Sequence, residues 1–175
     1  MNDYGKLIEG VTITPLKVFR DERGAVMHML KKTDEHFQQF GEIYFSLVDT
    51  NAVKAWHLHR TMTLNYACIY GRIKLALFDQ RPESPTLHMV NTLHLEGYPN
   101  FAEYNLVSIP PGVWNGFRAE VIMHNYPEMS SANAQVIPAI VANCSTHPHD
   151  PDEIERRSPS EFPLRYDWGP YMVAG

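Results

Sequence analysis

Short apolar runs, alternating with polar positions over 11–19, recur along the chain and are separated by breaks that contain Gly, Pro, Asn or Asp. That alternation is the signature of strands rather than helices. Strands are predicted over residues 11–19 (punctuated by Pro15), 25–30, 43–48, 53–57, 65–70, 73–78, 88–95, 106–109, 116–119 and 136–142. Asp21-Glu22-Arg23-Gly24 marks a tight turn between the first two. Thr33-Asp34 predicts the cap of a short helix through Phe40, ended by Gly41. Many short strands, with neither α/β alternation nor an internal repeat, imply an all-β sandwich or barrel. Residues 147–175 form an irregular tail, rich in Pro and charge. A helical turn is predicted at 152–157, and 162–168 is expected to pack back on the barrel.

Composition narrows the class. At 175 residues, 44% hydrophobic and 20% charged, the chain suits one domain over 1–175 with a well-buried core. A net charge of −5 with interspersed signs gives no basic face for nucleic acid. No apolar run approaches the roughly 20 residues that span a bilayer, and residues 1–6 lack the apolar core of a signal peptide. Cys68 and Cys144 sit in apolar, strand-like runs and are expected to be buried free thiols in a cytoplasmic protein.

The candidate chemistry centres on Trp56-His57-Leu58-His59. In an extended strand His57 and His59 project from the same face. Two imidazoles aimed into one pocket are either a metal-ligand pair or a base with a polar neighbour. Trp56, Trp114 and Trp168 are expected to be barrel packing rather than stacking platforms.

These residues resemble the first cupin motif, Gly, five residues, His-x-His, three or four residues, Glu, six residues, Gly. His57, His59 and Gly71 fall at its spacings, with Leu64 in the Glu position. Pro110-Pro111-Gly112-Val113-Trp114 resembles the second motif, Pro-x-Gly-x-x-His, with Asn115 in place of the His. Two of the four ligand positions thus carry an amide and an aliphatic group, a poor donor set for a divalent ion, so no metal is expected.

Within the cupins the chain resembles the dTDP-4-dehydrorhamnose 3,5-epimerase family. Its Phe-x-Asp-x-Arg-Gly reads Phe19-Arg20-Asp21-Glu22-Arg23-Gly24, and its Arg-Gly-Leu-His reads Lys54-Ala55-Trp56-His57. Its Arg-x-Ser-Pro-Thr reads Arg81-Pro82-Glu83-Ser84-Pro85-Thr86, and Asn115-Gly116-Phe117 follows the second cupin motif. Glu155-Arg156 and Asp167-Trp168 match its end.

The resemblance implies a double-stranded β-helix jelly roll without a cofactor. It also implies a homodimer exchanging N-terminal strands within residues 1–30, for which 11–19 would serve. His57 takes the place of the base that removes a proton alpha to a keto group, and Glu161 that of the carboxylate holding its ring. Leu64 replaces the enolate-stabilising lysine, and Val141 or Ala142 replaces the reprotonating tyrosine. Asn65, His59 and Asn115 are candidate donors to an enolate, while Arg23 and Lys54 match diphosphate contacts. Two functions are compatible with this pattern: an epimerase or isomerase of a keto-deoxysugar nucleotide with a narrower reaction than double epimerisation, or a non-catalytic cupin that binds a carbohydrate or sugar nucleotide.

Overall fold

The period-two pattern folds as two facing antiparallel sheets of five strands each in the computed structural model, which describes residues 5–50, 52–122, 135–160, 162 and 165–169. One sheet runs β1 (Thr12–Pro15), β9 (Asn105–Ile109), β6 (Leu64–Tyr70), β13 (Ala139–Ser145), β4 (Glu42–Val48). The other runs β14 (Ile154–Arg156), β5 (Val53–His59), β10 (Val113–Ala119), β7 (Arg72–Asp79), β8 (Val90–Glu96). Two hairpins stand outside them, β2 (Val18–Asp21) with β3 (Gly24–Met27), and β11 (Val121–Ile122) with β12 (Gln135–Val136). Apart from the consecutive pair β7 and β8, neighbours in both sheets are not consecutive in sequence, as the expected jelly roll requires.

Four local expectations change. Residues 33–36 are turns and a bend and 37–40 are irregular, so no helix forms; eight residues are too few to hold helix without packing, and Gln39 instead donates its amide to the Thr146 carbonyl, 2.7 Å away. The predicted turn at 152–157 contains strand β14, because the edge of β5 offers Ile154, Glu155 and Arg156 a backbone ladder opposite His59, Leu58 and His57. The run 11–19 divides into β1 and β2, and β1 pairs with β9 of its own chain. The run 136–142 breaks at Ile137-Pro138, where proline has no N–H to give a ladder.

Leu64, Ile73, Leu75, Leu77, Val107 and Val141 meet between the sheets, each at most 1% exposed. Outside the second sheet, Trp56 stacks on Phe162 at 4.6 Å and meets Trp168 at 5.2 Å, so the tail is packed onto β5. Cys68 and Cys144 are free and buried.

The ladder between β5 and β10 is irregular at one point. Asn115 faces His57 but Phe117 faces Lys54, so Ala55 and Trp56 together oppose Gly116. This β-bulge puts Lys54 and His57, three residues apart, on the same side of the sheet. Gly116 makes it possible, since a Cβ there would stand 2.3 Å from the Ala55 Cβ.

Candidate active site

The apolar filling between the sheets stops short of one end, leaving a cavity of about 660 Å³ walled by β4, β5, β6, β10, β13 and β14. That is the size of a small-molecule site. Its walls mix apolar side chains with histidine, tyrosine, asparagine, lysine and arginine.

On the second sheet, Arg156, His57 and Asn115 lie side by side across three strands. His57 lines the cavity. Burial, and then the positive charges of Arg156, His59 and Lys54, lower its pKa from 6.5 to about 4, so the ring is neutral at pH 7 and offers a lone pair. Asn115 is 1% exposed and donates its amide to the His57 carbonyl at 3.0 Å, fixing the strand that carries His57. Lys54 also reaches the cavity, its Nζ donating to Ser46 Oγ at 3.0 Å.

His59 lines the same cavity, as strand alternation requires, but its ring is committed. Its Nδ1 bonds Glu153 Oε1. Glu153 Oε2 accepts the backbone N–H groups of Arg60 at 2.9 Å and Thr61 at 3.2 Å. Burial pushes the Glu153 carboxyl up, but the bonds from His59 and these amides outweigh it and hold the pKa below the ordinary 4.5. Burial also leaves the His59 pKa lowered, against the pull of Glu153.

On the first sheet, Tyr44, Asn143 and Tyr66 form a second row, again side by side on three strands. Asn143 Nδ2 donates to the Tyr44 hydroxyl at 2.8 Å. The Tyr66 hydroxyl is in hydrogen-bond contact with Tyr44 and lies 3.3 Å from Asn115 Oδ1, bridging the two sheets.

The other anticipated residues fall elsewhere. Leu64, in the lysine position, is 1% exposed in the core. Val141 lines the cavity and Ala142 does not. Asn65 points away from the cavity: its amide donates to the Cys144 carbonyl at 2.8 Å and accepts Ser108 Oγ at 2.6 Å. Its contribution is through its backbone N–H, which bonds Asn143 Oδ1 at 2.9 Å. Arg23 sits on the exposed β2–β3 turn, paired with Asp21 at 2.6 Å, and takes no part in the cavity wall of its own chain. Glu161 lies outside the described residues. Among the described residues no three His, Cys, Asp or Glu side chains cluster as metal ligands.

Tyr44, Tyr66, Asn143 and Glu153 were not singled out from sequence. Alternation along 42–48 carries a signal for Tyr44: the structure turns Glu42, Tyr44 and Ser46 inward and Phe45 and Leu47 outward. The other three depend on which strands become neighbours.

A family model described as dTDP-4-dehydrorhamnose 3,5-epimerase matches residues 6–126. The crystal structure of a dTDP sugar isomerase from Desulfovibrio desulfuricans G20 is 38% identical, covers 88% of each chain and superposes with a TM-score of 0.75. A probable low-salt glycan biosynthesis epimerase, Agl13, from Haloferax volcanii is 28% identical over 128 residues, 69% of this chain and 78% of that one. A dTDP-6-deoxy-D-glucose-3,5-epimerase from Legionella pneumophila, solved in complex with dTDP-4-keto-L-rhamnose, shares the fold at 17% identity. Its TM-score is 0.71, with 97% of this chain and 85% of that one covered.

Proposed function

Because the chain belongs to the dTDP-4-dehydrorhamnose 3,5-epimerase family, we propose that it isomerises a nucleotide-linked keto-deoxysugar by removing a proton alpha to the keto group. His57 is the base. Its neutral ring facing the 660 Å³ cavity is the observation that carries this reading, since a general base must be unprotonated and within reach of the carbon acid. Arg156, opposed to His57 and lining the cavity, supplies positive charge for the enolate oxygen in place of the lysine that Leu64 lacks. Lys54, next along the same wall, meets the diphosphate.

A single epimerisation or keto shift fits this equipment better than two epimerisations. The Legionella relative's bound dTDP-sugar supports a nucleotide-linked substrate here. In solution the protein is a cytoplasmic homodimer: the edge strand β4 presents Ile43, Phe45 and Leu47, and the β2–β3 hairpin presents Phe19 and Val26, all more than half exposed in one chain. Pairing the hairpin of one copy with the β4 face of the other would bring Arg23 toward its partner.

The test is deuterium exchange in heavy water with a dTDP-linked 4-keto-6-deoxyhexose. The unaltered protein should take up deuterium alpha to the keto group, and His57→Asn should lose at least about a hundredfold in rate. Unchanged exchange in His57→Asn removes His57 as the base. A second assignment rests on His59, whose Nδ1 is held by Glu153 with Nε2 left over; exchange lost in His59→Asn and kept in His57→Asn would favour it. Binding of the sugar nucleotide with no exchange in the unaltered protein would favour the non-catalytic reading.

A further inference from the structure

An epimerising site needs two proton-handling groups, because the proton that leaves one face of a carbon must be replaced on the other. The tyrosine expected for this task near residues 141 and 142 is absent; Val141 and Ala142 stand there. Yet a tyrosine hydroxyl lies beside that strand. In the β4–β13 ladder Tyr44 is directly opposite Asn143, two residues along the cavity-facing side from Val141.

The surroundings of this hydroxyl are those of an acid. Asn143 Nδ2 donates to its oxygen at 2.8 Å. The amide cannot turn round to accept instead, because Asn143 Oδ1 is occupied by the Asn65 backbone N–H at 2.9 Å. Tyr66 is the second neighbour. Its single hydrogen is shared between the Tyr44 oxygen and Asn115 Oδ1, the latter 3.3 Å away and so weakly held. A phenol oxygen has two lone pairs. With Asn143 and Tyr66 as donors to them, the Tyr44 hydrogen is left to point into the cavity.

Resting on the isomerase reading, we propose that Tyr44 is the general acid of this site, delivering its hydroxyl proton from the wall opposite His57 while Asn143 and Tyr66 hold the phenolate that forms. The two walls belong to different sheets, so acid and base address opposite faces of a substrate lodged between them. His57 takes the alpha proton on its ring nitrogen; the C–H pair becomes the enolate double bond and the carbonyl pair moves to oxygen. The enolate then re-forms the carbonyl, and its carbon takes the Tyr44 proton on the other face, leaving the O–H pair on the phenolate. His57 ends with one proton more and Tyr44 with one fewer, and solvent water carries it back. Burial raises the Tyr44 pKa, with the Asn143 and Tyr66 bonds pulling the other way. Tyr66, buried more deeply, is raised well above 10.0 and stays a donor throughout.

Tyr44→Phe separates the two half-reactions. With a dTDP-linked 4-keto-6-deoxyhexose in heavy water, the variant should still take up deuterium with retained configuration, since His57 can remove and return a proton on one face. Its inversion rate should fall about a hundredfold or more. Tyr66→Phe, a positioning change, should slow inversion about tenfold with KM unchanged. Inversion by Tyr44→Phe within twofold of the unaltered protein overturns the proposal. So does joint loss of uptake and inversion in a folded variant, which would make Tyr44 a binding residue. Should Tyr44→Phe not fold, Tyr66→Phe decides: a reduced ratio of inversion to uptake supports the assignment, and an unchanged ratio overturns it. An unaltered protein that neither exchanges nor inverts the sugar defeats the isomerase reading itself, a pattern distinct from all of these.

Discussion

Arg156 lies directly opposite His57 in the antiparallel pairing of β14 with β5. Burial and then this guanidinium are the main reasons that the imidazole loses its proton near pH 4 rather than 6.5. Arg156 therefore does two things with one charge: it helps to keep the imidazole neutral and it presents positive charge to the cavity.

The acid limb of kcat/KM should accordingly lie near pH 4, with activity falling below it as His57 is protonated. Arg156→Met should move that limb upward by about half a pH unit, by removing one nearby positive charge, and should also lower kcat. Initial rates from pH 3.5 to 8 check both; a limb that stays put removes the coupling. The same depressed pKa has a stability consequence with a definite sign. Between pH 6.5 and about 4 the unfolded chain binds a proton at His57 that the folded chain does not. Stability is thus full above 6.5 and declines toward 4. In His57→Asn that part of the decline should vanish from urea melts across this range.

Glu153 closes the opposite end of the same strand pair, joining His59 to the backbone of Arg60 and Thr61. Glu153→Ala leaves the buried His59 ring and the Thr61 N–H without their carboxylate partner, while the Arg60 N–H keeps the Glu153 carbonyl at 3.1 Å, so about 1–2 kcal/mol of stability should go. Its folded carboxyl is held below 4.5, so this contribution is present above that pH and disappears on acidification. Urea titrations of the variant at pH 7 and pH 4 should show the deficit shrinking at the lower pH.

Gly116 is required by the bulge rather than by a turn. A methyl group there meets the Ala55 Cβ at 2.3 Å and the Ala55 Cα at 2.9 Å, with the Lys54 carbonyl at 3.1 Å. Gly116→Ala should cost about 3 kcal/mol of overpacking. If it folds, it should lose substrate affinity as well, because relieving the clash flattens the bulge and swings Lys54 from the cavity. Calorimetric binding of dTDP would report the second effect, which a general loss of stability would not produce at temperatures well below the melt.

Ile43, Phe45 and Leu47 on the outer face of β4 are 51%, 62% and 52% exposed, a continuous apolar stripe at a sheet edge. Such edges are ordinarily covered or charged. Phe45→Glu should convert a dimer to monomer at micromolar concentration in analytical ultracentrifugation. Melting of the monomer should remain cooperative, since Phe45 contributes nothing to the core of its own chain.

The architecture was legible in the sequence because its cause is local. Alternation along a strand decides which side chains share a face, and it places His57 and His59 together without knowledge of any neighbour. Motif order carried the family, from Phe19 through Trp168. Lys54 shows where that logic ends: strict alternation puts it on the opposite face from His57, and only the bulge against Gly116 brings both inward.

What the tertiary structure alone decided is who stands next to whom across strands and sheets. Tyr44 and Asn143 are 99 residues apart, and His59 and Glu153 are 94 apart. No periodicity reaches over such separations; they are brought together when the jelly roll closes and buried apolar area offsets the entropy of long loops. Thus the shared face of His57 and His59 and the all-β fold belong to the sequence itself. The carboxylate on His59, the inward Lys54 and the tyrosine across the cavity belong to the closed barrel, whose strand order sets those contacts.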